Sequence, residues 1–362
     1  MLVWGATSHG DYQQLKACKA PLPECGPLEV RIRVAYAEVN PVDLQKLRGR
    51  GDGDVADAPF VPGYGGSGIV LEIGKDVVAN SSSPAESVQV GDRVVFVGNP
   101  GKRGSYAEQV SLDHRLVAPV PPEISLERAA SLPLAGCTAY ESLVKLGLGP
   151  PSHAVAPGAT NNDNKPASKL LIVGAKGGVG TWSAYLARSW HHSLTIIGTA
   201  SDPKSNGGDA AHYDQLISHD ALTDELGGGP KGSVDAILCL TEPTPSVFSA
   251  LSEVIRPYGR ICLVVAGSSI QGLDLGFCFF KSVTVACETV FTSQRTQFVE
   301  IQPRQEMSNI IDTLVRQRDA PLPPSMQCLD WMDEEKVKDA WKRLASGHVH
   351  GKIVLRVAKD LE

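Results

Sequence analysis

The chain lacks paired cysteines, long apolar runs and an excess of basic residues. Its eight cysteines lie at positions 18, 25, 137, 239, 262, 278, 287 and 328, with no Cys-x-x-Cys pair. Scattered thiols are typical of a reducing compartment rather than of a disulfide framework or a zinc cluster. The formal net charge of −6 argues against nucleic-acid and anionic-membrane partners. No apolar run is long enough to span a bilayer, and Met1–Gly5 has no signal-peptide character, so we expect a cytoplasmic protein.

The length of the chain and its changing pattern predict two domains. A chain of 362 residues exceeds the size at which single cores stop growing. Leu28–Val34 alternates as a half-buried strand should, and the chain up to residue 124 is β-rich. From Lys169 onward strands alternate with helices, which predicts an α/β fold with a doubly wound parallel sheet. The strands of that sheet are predicted at 169–174, 195–200, 234–240, 260–265 and 282–289.

These patterns also place the domain boundaries. We expect a first domain made of residues 1–124 and 290–362, because the last strand pattern follows the alternating region and resembles the β-rich part. Residues 125–289 form the second domain. Within it, residues 150–168 are rich in Pro, Asn, Ala and Gly and predict a flexible surface insertion.

A glycine-rich turn after an apolar run is the strongest chemical signal. Leu170–Val173 is followed by Gly174, Ala175, Lys176, Gly177, Gly178, Val179 and Gly180 and then by a helical pattern up to Trp190. The small residues at 175, 177 and 180 follow the spacing of the dinucleotide fingerprint, with alanine in place of the first glycine. A helix that begins there offers free N–H groups to a pyrophosphate.

The end of the next strand indicates which nicotinamide cofactor is preferred. Sites selective for NAD place a carboxylate near this strand end, where it binds the ribose hydroxyls. Here the corresponding position is Ser201, with Lys204 close by. A hydroxyl and a cation suit a 2′-phosphate, and we interpret Asp202 as a turn residue before Pro203. The pattern therefore predicts NADPH, unless the Asp202 carboxylate faces the ribose.

Together with the glycine-rich turn, several short motifs resemble the medium-chain dehydrogenase/reductase superfamily. They are Val39–Asp43, Pro62–Gly68, Val90–Val94, Gly104–Glu108, Ala130–Leu134, Gly177–Gly180 and Gly351–Val354. The resemblance covers nearly the whole chain. It implies a β-rich GroES-like substrate domain, a Rossmann nucleotide domain and an active site in the cleft between them.

The zinc ligands of this superfamily have no counterparts in the chain. The segment Val39–Asp43 lacks the expected cysteine, Tyr64 and Gly65 stand where zinc enzymes have a His-Glu pair, and Leu134 occupies the second cysteine position. A catalytic zinc needs about three protein ligands. Cys137 lies three positions from the ligand site, and we interpret it as a small core residue. We therefore expect no metal, and the closer resemblance is to the zinc-free, quinone-oxidoreductase-like branch, the "zinc-type alcohol dehydrogenase-like" group.

That resemblance also implies the roles of individual residues. Asn40 and Tyr64 are the candidate catalytic residues, as donors to a substrate carbonyl, although Asn40 could instead contact the nicotinamide ribose. Thr138, Leu240, Thr241 and Lys352 are candidate cofactor contacts beside residues 175–180, Ser201 and Lys204. Gln45 stands where related quinone reductases carry a tyrosine, so no protein proton donor is assigned. Asp43 is expected to anchor a loop.

The predicted function is NADPH-dependent reduction of a small quinone or of the C=C bond of an α,β-unsaturated carbonyl. Two alternatives stay open: a trans-acting enoyl reductase of a polyketide pathway, and a nucleotide-binding protein that has lost catalysis. Zinc-free relatives commonly dimerise through edge strands. We therefore expect a homodimer that joins through residues 281–289, a mostly apolar strand.

Overall fold

A computed structural model describes residues 1–49, 59–77, 88–151, 167–204, 210–292, 294, 303–317, 325–347 and 349–361. Within them the chain forms two compact units. Unit 1 consists of Met1–Cys137, Phe291–Arg316 and Met326–Glu362, and unit 2 of Thr138–Val290 with Gln317–Ser325. Most of the predicted insertion at 150–168 lies outside the described residues.

The strands of unit 1 build a mainly antiparallel sheet with the order β14-β15-β3-β4-β5-β7, and β6 also pairs with the long strand β3. Their bounds are β1 Leu2–Gly5, β2 Lys16–Lys19, β3 Glu29–Val39, β4 Gly65–Ile73, β5 Arg93–Val97, β6 Gln109–Asp113, β7 Val117–Pro119, β14 Met326–Asp330 and β15 Lys352–Arg356. Strands β1 and β2 form a separate pair. The C-terminal strand β15 pairs antiparallel with β3, with Ile353 opposite Val39.

Unit 2 contains a six-stranded sheet in the order β10-β9-β8-β11-β12-β13, and its described strand pairs are all parallel. The bounds are β8 Lys169–Val173, β9 Thr195–Ala200, β10 Gln215–Ser218, β11 Val234–Cys239, β12 Ile255–Leu263 and β13 Thr284–Cys287. This is the doubly wound arrangement that the alternating pattern predicts, and the predicted fold class is confirmed. The short edge strand β10 was not predicted.

The helices complete both units. They are α1 Pro41–Leu47, α2 Leu126–Ala129, α3 Pro133–Lys145, α4 Gly178–Trp190, α5 Leu222–Leu226, α6 Pro245–Val254, α7 Gly276–Phe280, α8 Pro303–Arg316 and α9 Glu334–Ser346. The segment 126–146 has helical apolar spacing throughout, which predicts one helix, but it forms the two helices α2 and α3. Pro133 has no N–H group and disfavours helical geometry at the residue before it, so α3 begins at this proline.

The boundary between the units lies within α3, between Cys137 and Thr138, later than the 124/125 boundary expected from the sequence. The reason is packing. Leu126 and Ala130 are buried in a cluster with Ala35, Tyr36 and Val354 of the unit 1 sheet. The residues around α2 are therefore part of the β-rich unit. The sequence pattern changes at residue 125, before the boundary between the units at Cys137 and Thr138.

A large buried cluster of unit 1 contains the aromatic side chains of Trp4, Tyr106 and Trp341. Trp4 packs edge-on against Trp341 of α9 at a ring distance of 5.7 Å, and Tyr106 stacks on the same indole at 5.6 Å. In the described part of the chain, no helix is both long and apolar enough to cross a bilayer.

Candidate functional sites in the two units

The glycine-rich turn of unit 2 connects the carboxyl end of β8 to the N-terminus of α4. The first-turn N–H groups of a helix have no partner within the helix, and no side chain among the described residues caps α4 at Gly177. A Cβ atom at Gly180 would lie 2.5 Å from the Ala175 carbonyl oxygen. Glycine at 180 therefore lets the helix approach the turn closely, as a pyrophosphate-binding turn requires.

A tyrosine distant in sequence holds this turn in place. The Tyr213 hydroxyl lies 2.9 Å from the carbonyl oxygens of both Ala175 and Gly180 and donates its proton between them. It thereby links the two ends of the turn. Tyr213 was not predicted, because nothing in the local sequence pattern distinguishes it from any other tyrosine before a strand.

The candidate contacts Leu240 and Thr241 lie at the same edge of the sheet. A Cβ atom at Gly174 would lie 3.4 Å from side-chain atoms of both residues, so the loop after β11 adjoins the turn. Thr138 is buried at the start of the unit 2 portion of α3. The carboxyl ends of β8 and β11 therefore bring residues 174–180, 240 and 241 together.

The residues after β9 include one lysine and one carboxylate, and a second lysine reaches them from the glycine-rich turn. Ser201, Asp202 and Lys204 are all exposed. The Asp202 carboxylate accepts a hydrogen bond from the Lys204 backbone N–H at 3.2 Å, as a turn residue does. The Lys176 ammonium donates to the Asp202 carbonyl oxygen, so a cation from the glycine-rich turn also reaches this strand end.

In unit 1 a buried polar cluster forms where β15 passes the end of β3. Asn40 directly follows β3, and the pairing of Ile353 with Val39 places Lys352 beside it. The Lys352 ammonium donates to the Asn40 side-chain oxygen Oδ1 and lies 2.6 Å from Glu38 Oε1. The sequence-predicted residues Asn40 and Lys352 therefore contact each other directly, whereas Glu38 was missed.

Glu38 is held from a second side. Its Oε2 accepts the Leu134 backbone N–H at 3.0 Å, and its Oε1 lies 3.4 Å from the Ala135 nitrogen. Both N–H groups belong to the first turn of α3, where the helix dipole favours an anion. A Cβ at Gly65 would lie only 2.3 Å from Glu38 Oε2, so glycine at 65 provides the space for this carboxylate.

Asp43 extends the cluster to the aromatic core. Its Oδ2 accepts the Asn40 backbone N–H at 2.7 Å and the Tyr106 hydroxyl at 2.7 Å. These bonds fix the start of α1, as expected for a residue that anchors a loop. Burial raises the pKa of Asp43 to about 7, although both hydrogen bonds oppose the shift.

Tyr64 is fully buried in unit 1. Its ring packs edge-on against Phe291 at a centroid distance of 5.7 Å, so its position is determined by aromatic packing. Its role as a donor to a carbonyl stays a prediction. Cys137 is buried, as a core residue is. Among the described residues, no group of three or more His, Cys, Asp or Glu side chains could hold a metal ion.

Comparisons with known proteins agree with this geometry. Residues 26–122 match the alcohol dehydrogenase GroES-like domain. A zinc-type alcohol dehydrogenase-like protein of Staphylococcus epidermidis is 28% identical over 342 residues, which is 93% of both chains. A 2-methylene-furan-3-one reductase of Solanum lycopersicum is 28% identical over 250 residues, 64% of this chain and 58% of the relative.

Solved structures share the fold across the whole chain. The quinone oxidoreductase of Coxiella burnetii has a TM-score of 0.76 at 24% identity and covers 99% of each chain. A mycobacterial protein solved in complex with NADPH has a TM-score of 0.75 at 22% identity, with 98% of this chain and 99% of that one covered.

The doubly wound sheet of unit 2, with its glycine-rich turn, and the GroES-like match in unit 1 form a fold that the chain shares with solved oxidoreductases. Over nearly its whole length the chain is similar to zinc-type alcohol dehydrogenase-like proteins, which supports the resemblance to the quinone-oxidoreductase-like branch of the medium-chain dehydrogenase/reductase superfamily.

Proposed function

We propose that the protein uses NADPH to reduce a small quinone or the C=C bond of an α,β-unsaturated carbonyl compound, without a metal ion. The observation that carries the proposal is the glycine-rich turn of unit 2 together with the charges at the end of β9. The Lys176 and Lys204 side chains are cationic, and the Asp202 carboxylate faces the Lys204 backbone N–H. This arrangement suits a nucleotide with a 2′-phosphate.

The residues of unit 2 fit such a cofactor. The open N-terminus of α4 and the glycines at 177 and 180 suit the pyrophosphate. Ser201, Lys204 and Lys176 would hold the 2′-phosphate, and Thr138, Leu240 and Thr241 complete the proposed contacts. Bound NADPH supplies the hydride.

Unit 1 supplies hydrogen-bond donors for the substrate. Hydride addition to an enone or a quinone places negative charge on the carbonyl oxygen, which preorganised donors stabilise. In this proposal Asn40 and Tyr64 are those donors, and solvent delivers the final proton. The resemblance to zinc enzymes places their ligands within Val39–Asp43, at Tyr64 and Gly65, and at Leu134, and none of these residues carries a thiol or an imidazole.

Cofactor titrations test the first half of the proposal. We expect the purified protein to bind NADPH tightly and NADH weakly, measured by nucleotide fluorescence, with metal content determined on the same sample. Lys204→Ala weakens NADPH binding about tenfold, since one charge-assisted contact is lost, and leaves NADH binding unchanged. Lys231→Ala, at an exposed position of the same unit, is the matched control. A preference for NADH, or stoichiometric zinc, would contradict the proposal.

Substrate screening tests the second half. We expect NADPH oxidation with 9,10-phenanthrenequinone or with small enones, at a rate that a metal chelator does not change. Turnover of carrier-bound but not free substrates would point instead to the trans-acting enoyl reductase. Absence of turnover with every substrate, despite tight NADPH binding, would favour a nucleotide-binding protein without catalysis.

We also propose that the protein is a homodimer joined through residues 281–289. Within this segment β13 is the last strand of the unit 2 sheet, so its outer backbone groups are open to pairing. Phe279 and Phe280, just before it, are 87% and 74% exposed. Light scattering should give a dimer mass for the wild type and a monomer mass for Phe279→Glu; a monomeric wild type would contradict this proposal.

A further inference from the structure

The chemistry of lysine determines which way the Asn40 side-chain amide faces. An ammonium group has three donors and no acceptor, whereas an asparagine amide has an oxygen that accepts and a nitrogen that donates. The atom of Asn40 that faces Lys352 must therefore be the oxygen, as the structure shows. The nitrogen Nδ2 is consequently turned away from the lysine.

The Asn40 nitrogen is a donor without an acceptor among the described residues. Asn40 is only 2% exposed, so water does not freely take the place of a protein partner. Buried donors are seldom left unsatisfied in folded proteins. The unused donor therefore points to an acceptor that arrives with a bound molecule.

The neighbours of Lys352 keep it in the orientation that this arrangement requires. Glu38 Oε1 lies 2.6 Å from the ammonium, and the other carboxylate oxygen is held by the first turn of α3. An ammonium that binds Oδ1 also polarises the amide, because hydrogen bonds in a chain strengthen one another. The Asn40 N–H groups are therefore both oriented and strengthened as donors.

We propose that Asn40 Nδ2 donates to an oxygen of a bound ligand, and that Lys352 and Glu38 are positioning residues which set and polarise that amide. This proposal rests on the proposed function and adds two residues to it. The shared chemistry is a ligand oxygen that accepts a hydrogen bond. It belongs either to the substrate carbonyl or to the nicotinamide riboside part of the cofactor, and the experiment distinguishes these two sources.

Asn40→Asp tests the donor itself. A carboxylate at 40 keeps the contact with Lys352 and removes both N–H groups. We expect a fall of about 100-fold in kcat/KM, the effect of losing one preorganised donor. An unchanged NADPH dissociation constant identifies the substrate carbonyl as the acceptor, and weaker NADPH binding identifies the cofactor. Unchanged values of both constants overturn the proposal.

Two double variants test the positioning role without leaving a buried charge. Glu38→Gln combined with Lys352→Gln removes both charges and keeps a donor that reaches Asn40 Oδ1, whereas Glu38→Gln combined with Lys352→Met leaves no such donor. We expect the methionine pair to lose about tenfold more kcat/KM than the glutamine pair, at equal cofactor saturation. Equal losses in the two pairs overturn the positioning role. Lys359→Met, which breaks the exposed pair with Asp330 in the same unit, is the control for lysine removal.

A readout independent of turnover separates this proposal from the proposed function. In protein labelled with ¹⁵N-asparagine, the Asn40 side-chain amide is the resonance lost in Asn40→Asp. We expect one sharp pair of N–H signals in the wild type and the glutamine pair, and a shifted or broadened pair of signals in the methionine pair. If this holds while every quinone and enone is inert, the proposed function fails and the positioning role stands. Identical signals in all three proteins overturn the positioning role.

Discussion

Two of the buried lysines, Lys281 of unit 2 and Lys352 of unit 1, have different surroundings. In unit 2 the Lys281 ammonium donates to the carbonyl oxygens of Ser252, Glu253 and Ile255 at 2.9, 2.8 and 2.8 Å. These carbonyls lie at the C-terminus of α6, where the helix dipole also stabilises a cation. All three donors of Lys281 are therefore used by neutral groups, and the arrangement is complete without a ligand.

The Lys352 cluster of unit 1 is complete only in part. The ammonium pairs with a buried carboxylate and with an amide oxygen, but the amide nitrogen at the end of this chain of contacts has no acceptor among the described residues. The two lysines therefore differ in what surrounds them. All three donors of the Lys281 ammonium are used by carbonyl oxygens, whereas the contacts of Lys352 end at a buried amide nitrogen that can still donate to an incoming oxygen.

Breaking the buried ion pair of Lys352 with Glu38 in unit 1 should cause the largest loss in the free energy of unfolding. Lys352→Met leaves the Glu38 carboxylate buried without its partner, so we expect a loss of about 3–5 kcal/mol in the free energy of unfolding. Adding Glu38→Gln should restore most of it. Urea unfolding followed by tryptophan fluorescence measures both. A loss below about 1 kcal/mol in the single variant would show that Glu38 is not desolvated.

Removing the Lys281 ammonium of unit 2 should lower stability without changing cofactor binding or catalysis. Lys281→Met leaves three carbonyl oxygens unsatisfied at the end of α6, and we expect a loss of about 3 kcal/mol in the free energy of unfolding. The NADPH dissociation constant and kcat/KM should stay at their wild-type values below the unfolding transition. A change in either constant would mean that Lys281 is more than a helix cap.

The pH dependence of stability should show whether the Asp43 carboxyl of unit 1 is buried as the structure indicates. Because burial raises the pKa of Asp43 to about 7, the folded state holds the proton more tightly than the unfolded state. The contribution of Asp43 to stability is therefore greatest at low pH and is lost as pH rises to about 7. Relative to Asp43→Asn, the wild type should lose about 2 kcal/mol between pH 5 and pH 8. Parallel pH profiles of the two proteins would contradict the shift.

A surface ion pair is expected to show the smallest effect in this comparison. Lys338 pairs with Glu334 one turn away on α9, and their side chains are 37% and 58% exposed. We expect Lys338→Ala to change the free energy of unfolding by only about 0.3–0.5 kcal/mol. A loss as large as that of Lys281→Met, measured in the same urea titrations, would mean that charge removal alone explains the other results.

Much of the fold could be predicted from local sequence patterns, as could the glycine-rich turn of the candidate site. Strand β9 was predicted at its observed bounds, and β3 extends five residues beyond the predicted end at Val34, to Val39. The turn at 174–180 was predicted because its glycines are contiguous. The break before α3 was missed although Pro133 signals it, since the apolar spacing continues through the proline. The edge strand β10 is too short for its alternation to stand out.

What the sequence by itself determined is the parallel sheet, the glycine-rich turn before α4 and the neutral character of the positions at Asn40 and Tyr64. These depend on residue type and on spacing over a few positions, which local sterics and hydrogen bonding translate directly into structure. Only the tertiary structure decided that the Tyr213 hydroxyl bridges the turn and that Lys352 contacts Asn40. Lys352 and Asn40 are 312 residues apart in the chain, and only the pairing of β15 with β3 brings an ammonium, a carboxylate and an amide together in a buried place where each must satisfy the others.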